Sequence, residues 1–503
     1  MFAFNHEPLR ARLTTDFNAL ACGVKDAVEV SRILAALTQT TTAIMSELAQ
    51  AWTASNSILR LVPDEMLALS FSVLPFADRI AASQVSRRWR AVALAHPAIW
   101  ADLDFDRLDS TYADRIFHAL SRTGCLPVDL RVYIDPDPTD MSIVKKALRL
   151  HMHHLRTIEG AFPQYTLPLL LPAPYMETIS SVFYHVDIPS GFLGGQPERL
   201  RTLRLPTVTL PETCPALSTV AFLTLDGPKD HVSAATFRRL FQLCPNLVSL
   251  RLNELQSLFS DYLPPGPAPS SLKQLRLEGD DDVTPHYNAW QTANLRQVSL
   301  MQRTMSAAHL DRLFTGAWES LTVNVDYAGD VELVIQCAAG RRHSIKSTGD
   351  NGRTTSAALV TLSRISDLQH VRAIEVSLFA LKSFLPVVAA LPALKHVTIL
   401  VIAQKPHLSP GGTRKAIRTF PWHLLRDLEN VVRSCPWLGA IDVAVECPGR
   451  SRGPLTPEDA SGLIDQLSEF DEFELPDIRI GGFPRDIVRD VDIPELCGVR
   501  VEF

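Results

Sequence analysis

The sequence lacks the features that would bind a structural metal, a membrane or nucleic acid. Its eight cysteines, Cys22, Cys125, Cys214, Cys244, Cys337, Cys435, Cys447 and Cys497, stand singly in 503 residues. None forms a CxxC pair or a zinc-finger spacing with histidine, so reduced, part-buried thiols are expected. Positive charge is not in excess: 49 Lys and Arg face 55 Asp and Glu, for a net charge of -6. A general binder of phosphate-rich nucleic acid or of anionic membranes needs the opposite balance. The most apolar late run, Val387 to Ala403, is broken by Pro392 and carries Lys395 and His396, so it fails as a membrane span. The first residues, Met1 to His6, lack the charged start and apolar core of a secretory signal. The expectation is a soluble protein of the cytoplasm or nucleus, with no nucleic-acid or membrane partner.

Catalytic motifs are equally thin. Gly449-Arg450-Ser451-Arg452-Gly453 satisfies G-x-S-x-G, but the last histidine is His423 and Pro454 follows at once. A nucleophile elbow needs a later histidine and turns directly into a helix, so Ser451 is not expected to act as a nucleophile. His151, His153 and His154 lie at the end of an expected helix and would need a further ligand to hold a metal. Glu278 to Asp282 lacks the alternating oxygen ligands of a calcium loop. Gly349 to Thr354 has no P-loop lysine, and Gly191 to Gly195 opens no dinucleotide-binding unit. No catalytic residue, metal or cofactor is expected.

What the chain does have is apolar residues, at 46%, arranged in a repeat. The pattern L-x-x-L-x-L begins clearly at Leu200, Leu247, Leu272 and Leu295, and more weakly at Leu155, Met176, Leu217, Trp318, Val371, Leu394, Leu438, Leu475 and Leu496. Alternating apolar residues form the buried side of a short strand, and a period of some 20–30 residues marks stacked strand-and-helix units. Helices are expected between the strands over 234–243, 307–314, 422–432 and 457–470. Pro/Gly-rich segments at 263–269, 404–412 and 447–454 read as surface loops. If the strands stack, the residue before each last apolar position shares one surface: Arg204, Ala221, Arg251, Arg276 and Ser299. Arginines brought together in this way suit a carboxylate or phosphate. Ahead of the repeats, apolar residues from Phe17 to Leu48 recur at helical spacing, with a break expected at Thr38 to Thr42.

Between these parts lie Pro63 with Glu65, then Val85-Ser86-Arg87-Arg88-Trp89, then Trp100 to Leu103. Together these anchors resemble an F-box, with two departures: Val62 is inserted before Pro63, and Ser70-Phe71 stands where Ile-Phe is usual. The repeats resemble an irregular leucine-rich-repeat array, although Asn253 is the one clear match to the conserved Asn or Cys of regular repeats. The resemblance implies an α/β chain. A helical segment (1–57) would precede a three-helix F-box (58–104), and a solenoid with a curved parallel sheet and outer helices would follow (105–503). It further implies a non-catalytic, substrate-recruiting subunit of an SCF-type cullin-RING ubiquitin ligase. Leu61, Pro63, Glu65, Met66, Leu67, Leu74, Val85 and Trp89 would meet a Skp-type adaptor, and Trp100 and Leu103 would fix the F-box to the first repeat. A client protein would sit on the concave repeat surface at Arg204, Arg251, Arg276 and Ser299. The alternative is a repeat scaffold whose F-box-like helices only cap the array.

Overall fold

The computed structural model describes residues 7–56, 61–105, 112–133, 138–160, 167–181, 185–195, 198–226, 235–255, 263–279, 286, 289–302, 310, 314, 316–325, 330–347, 362, 366–388, 391–402, 424–425, 428–434, 438–446, 461–462, 477–481 and 499–501. They fall into two compact units, Met1–Trp100 and Ala101–Phe503. The Ser451 motif, the 349–354 segment, Asp280 to Asp282 and the loops at 404–412 and 447–454 lie outside the described residues. So do nearly all of the expected helices at 307–314 and 457–470. No described helix is long and apolar enough to cross a membrane.

The first unit opens with two helices packed on each other, α1 (Glu7–Ala21) and α2 (Ala27–Asn56). The chain turns at Gly23, whose φ of 83° suits a residue without Cβ. The break expected at Thr38 to Thr42 is absent: Thr38, Thr40 and Thr42 each donate a hydroxyl hydrogen bond to the carbonyl four residues back. Those bonds satisfy the hydroxyls inside the helix, so the threonines do not divert the backbone.

Three short helices follow: α3 (Asp64–Ser72), α4 (Phe76–Val85) and α5 (Arg87–Ala95), closed by a 3-10 turn, Pro97–Trp100. Pro63 and Pro75 stand at the N-caps of α3 and α4 with ψ of 151°. Ser86 caps α5, its hydroxyl accepting from the Trp89 N–H at 3.1 Å. Leu67, Ala68, Phe71, Phe76, Val92 and Trp100 make the core. Phe71 lies against Trp89 at 5.0 Å between ring centres, and the Trp100 indole donates to the Ala93 carbonyl at 2.7 Å.

Among the described residues, the second unit is built on an open, mostly parallel sheet of 17 strands. In chain order the strands are β1 (Asp102–Phe105), β2 (Val128–Val132), β3 (Leu155–Gly160), β4 (Thr178–Ser181), β5 (His185–Asp187), β6 (Thr202–Leu205), β7 (Thr207–Thr209), β8 (Phe222–Asp226), β9 (Ser249–Leu255), β10 (Gln274–Gly279), β11 (Gln297–Gln302), β12 (Ser320–Val325), β13 (Val331–Gln336), β14 (Arg342–Ser347), β15 (Ala373–Ser377), β16 (His396–Ile402), β17 (Ala440–Glu446), β18 (Asp477–Gly481) and β19 (Val499–Val501). β5 and β7 form a separate two-stranded pair. From β1 to β11 each main-sheet strand pairs in parallel with the next, and β15 to β19 continue likewise.

Between these runs the order is reversed. β11 pairs with β14, β14 with β13 and β13 with β12, the last two pairings antiparallel, and β12 then pairs with β15. The alternation predicted by L-x-x-L-x-L is what holds the sheet in register. Leu203, Leu223, Leu250, Leu275 and Val298 lie side by side, and so do Leu205, Leu225, Leu252, Leu277 and Leu300. All ten are buried. Burying side chains of this kind contributes roughly 1.5–3 kcal/mol apiece, so the two ladders dominate local stability. α6 (Tyr112–Arg122) and α7 (Pro138–His151) connect β1 to β2 and β2 to β3, burying Ile116, Leu120, Val144 and Leu148. Gly160 faces Val132 so closely that a Cβ would meet the Val132 carbonyl, which is why the end of β3 needs glycine.

Candidate functional site

The first candidate surface lies on the three-helix module. α3 is apolar on two sides. Leu67 and Phe71 point into the core, Leu67 only 5% exposed. Met66, Leu69 and Val73, spaced i, i+3, i+7 on another side of the helix and its C-cap, are 53%, 60% and 77% exposed. Leu61 and Val85, at 82% and 65%, and Leu94 are further exposed apolar side chains of the module. Three large side chains in a row along a nine-residue helix and its C-cap are more than the scattered exposed leucine of an ordinary surface.

The module is held rigid beneath them. The Arg88 guanidinium donates to Asp64 at 2.6 and 2.9 Å and to the Val62 carbonyl at 2.5 Å, tying α5 to the start of α3. The buried Arg79 donates to the Leu74 carbonyl at 2.7 Å and the Ile99 carbonyl at 2.9 Å, closing α4 onto both its neighbours.

Of the residues expected at an adaptor, Leu61, Pro63, Glu65, Met66 and Val85 are exposed, while Trp89 and Leu74 are half-buried. Leu67, by contrast, is buried in the core, because it sits one position round the helix from Met66 and packs inward. Leu69 and Val73, exposed on the same side as Met66, were not among the residues expected there. Their spacing was visible, but the Leu67–Phe71–Leu74 stripe has helical spacing too, and sequence alone does not say which stripe faces in.

The second candidate surface is one row of the sheet. Parallel register brings Arg204, Thr224, Arg251, Arg276 and Ser299 side by side, so the three expected arginines do share a face. Ala221 does not belong to the row. Leu217 lies in a 3-10 turn, Pro215–Thr219, and the strand pattern starts at Val220, which puts Thr224 opposite Arg204. Arg251 and Arg276 each stand 3.7 Å from the Glu278 carboxylate. Arg251 also donates to Asn253 at 2.7 Å, and Asn253 to Asp226 at 2.8 Å. The Arg204 side chain has no hydrogen-bond or ion-pair partner among the described residues. Nearer the start of the sheet the same row neutralises itself: Arg131 lies among Asp102, Asp104 and Glu159. There Arg156 pairs with Asp129. Burial pushes the Asp129 carboxyl up, but hydrogen bonds from Arg156 and Thr157 and the nearby positive charges outweigh it and hold the group below the usual carboxylate range.

The histidines at the end of α7 stack on one another. His151 Nδ1 lies 3.2 Å from His154 Nε2, with ring centres at 5.1 Å, and the His153 and His154 centres are 4.6 Å apart. Burial, followed by the charges of the neighbouring rings, lowers His151 to about 4 and depresses His154 as well. Among the described residues no group of three His, Cys, Asp or Glu is arranged to hold a metal. Gly191 to Gly195 forms a turn in which Leu193, Gly194 and Gly195 have positive φ, with Gly194 packed against Pro172. Cys214 and Cys244 are buried free thiols; burial raises both, Cys244 to about 12.

A family model for F-box-like domains matches residues 59–106, which contain α3, α4, α5, the Trp100 turn and β1. Comparison with curated proteins gives no match.

Proposed function

We propose that this chain is the substrate-recruiting subunit of an SCF-type cullin-RING ubiquitin ligase, acting in the cytoplasm or nucleus. Its F-box-like domain grips a Skp-type adaptor, and its repeats hold a client protein. The observation that carries this reading is the uncovered stripe Met66, Leu69 and Val73, within the segment that matches the F-box-like family. Apolar anchors of this kind dominate protein interfaces once a partner removes them from water. Leu61, Pro63, Glu65, Val85 and Trp89 border the contact, while Leu67 and Leu74 keep α3 in place beneath it. The chain does no bond chemistry in this scheme. It raises the effective concentration of client lysines near a ubiquitin-charged carrier that the adaptor and cullin scaffold bring.

The test is co-expression with a Skp-type adaptor. The intact chain should capture it, and the double variant Met66→Asp, Leu69→Asp should lose capture while its melting temperature stays put, as surface changes usually cost under about 0.5 kcal/mol. Leu67→Ala should instead lower stability by about 2–5 kcal/mol, since it empties a core position. An intact chain that never captures the adaptor, or a double variant that still does, would overturn the proposal.

A further inference from the structure

Among the described strands, β6 to β11 hold three arginines in one row, and the internal carboxylates match them incompletely. Arg251 and Arg276 share the single Glu278 carboxylate, at 3.7 Å from each. Charge-assisted bonds to arginine close to about 2.7–2.9 Å, so this bridge is loose. Arg276 Nε is buried without a hydrogen-bond partner among the described residues. Arg204 has no partner among the described residues.

The flanking rows give the arrangement a direction. Two residues later along the strands lie Asp226, Asn253 and Glu278, and two residues earlier lie Thr202, Phe222, Ser249, Gln274, Gln297 and Arg342. From β6 to β14 the earlier row carries no carboxylate, and within it Phe222 is 48% exposed. An anion approaching from that side meets guanidinium, hydroxyl and amide groups and an aromatic ring, and avoids the acidic groups.

We propose that this face binds an extended segment of a partner protein that carries two anionic side chains and runs across the strands. One anion sits between Arg251 and Arg276, the other at Arg204, and an apolar side chain between them lies on Phe222. Adjacent strands are about 4.8 Å apart, so Arg204, two and a half strand spacings from the midpoint of Arg251 and Arg276, is roughly 12 Å from the first subsite; at about 3.3 Å per residue, and with side chains that reach inward, that separates the two anions by three to four positions. The ligand is a protein segment rather than nucleic acid because the basic strip is short and bounded by carboxylates, in a chain of net charge -6. The inference rests on the reading that the repeats hold a client, and it adds the chemistry of what they hold.

The test is fluorescence anisotropy of the full chain with a labelled 12-residue peptide of Ala, Ser and Gln, with a leucine between two phosphoserines three positions apart. Parallel peptides carry glutamate, or unmodified serine, at the same two positions. Binding by the phosphoserine or the glutamate peptide, and not by the serine one, supports the site, and the tighter of the two identifies the anion. Arg251→Ala with Arg276→Ala should weaken binding at least about tenfold, and Arg204→Ala should weaken the doubly charged peptide but not a singly charged one. Glu278→Gln should tighten binding by removing the internal competitor, a gain that misfolding does not produce. Equal binding of the charged and serine peptides would overturn the proposal, as would a 12-nucleotide RNA that binds as tightly with the same arginine dependence. Failure here leaves adaptor capture intact, whereas loss of adaptor capture with peptide binding preserved removes the ligase reading alone.

Discussion

Arg79 shows how much of the three-helix module depends on one polar side chain. Its position on α4 looks like a surface arginine, yet it is 6% exposed and donates to two backbone carbonyls, those of Leu74 and Ile99. The Leu74 carbonyl lies just past the end of α3 and the Ile99 carbonyl in the last residues of the closing 3-10 turn, positions that intrahelical donors leave free, and a buried acceptor without a partner costs about 1–3 kcal/mol. Arg79→Met keeps the apolar stem and removes the donors. The expected outcome is a loss of about 2–4 kcal/mol, seen as an earlier first transition in thermal melting of the full chain. An unchanged transition would mean that the two carbonyls find water instead. The burial of Leu67 and the exposure of Leu69 make the same point from the apolar side: on so short a helix, neighbours decide which residue is core.

At the scale of elements, the end of α7 is a place where folding and protonation compete. His151 and His154 are stacked, half-buried or buried, and both titrate below an ordinary histidine, His151 at about 4. The unfolded chain takes up these protons first, near pH 6.5, so the contribution to stability is full above that pH and is lost as pH falls toward 4. Thermal melting between pH 7 and 4 should therefore fall less steeply in a His151→Asn, His154→Asn variant than in the parent; parallel curves would refute the coupling. Elements also show what was legible in advance. Strands β6, β9, β10 and β11 begin two residues after the first leucine of each clear copy, because alternation at period two is a strong signal. Leu217 misled by three residues because a buried leucine in a 3-10 turn looks like the first leucine of a repeat. β13 and β14 were missed because their inward positions, Val331, Leu333, Ile335, His343 and Ile345, include a histidine and no repeated leucines. His343 is fully buried, its ring against Trp318 at 4.8 Å and its Nε2 3.3 Å from the Leu295 carbonyl.

For the sheet as a whole, the reversal at β12 to β14 matters less than it first suggests. An antiparallel pair places residues of the same facing opposite each other, so the outward row passes from Ser299 through Ser344, Val334 and Thr322 to Glu375 without changing side. Each strand still meets only the strands beside it, and stability in such an array is close to a sum of neighbour terms. A cavity made in one ladder should loosen its surroundings and fade with distance. Leu250→Ala on β9 should cost about 2–5 kcal/mol locally and speed amide hydrogen exchange in β8, β9 and β10. Exchange in β15, β16 and β17 should stay at parental rates, since the intervening β11, β14, β13 and β12 carry their own buried ladder, with Leu300, Ile345, Leu333 and Val323 side by side. Equal acceleration in both groups would show that the sheet unfolds as one cooperative body, and the neighbour-by-neighbour account of its stability would have to be abandoned.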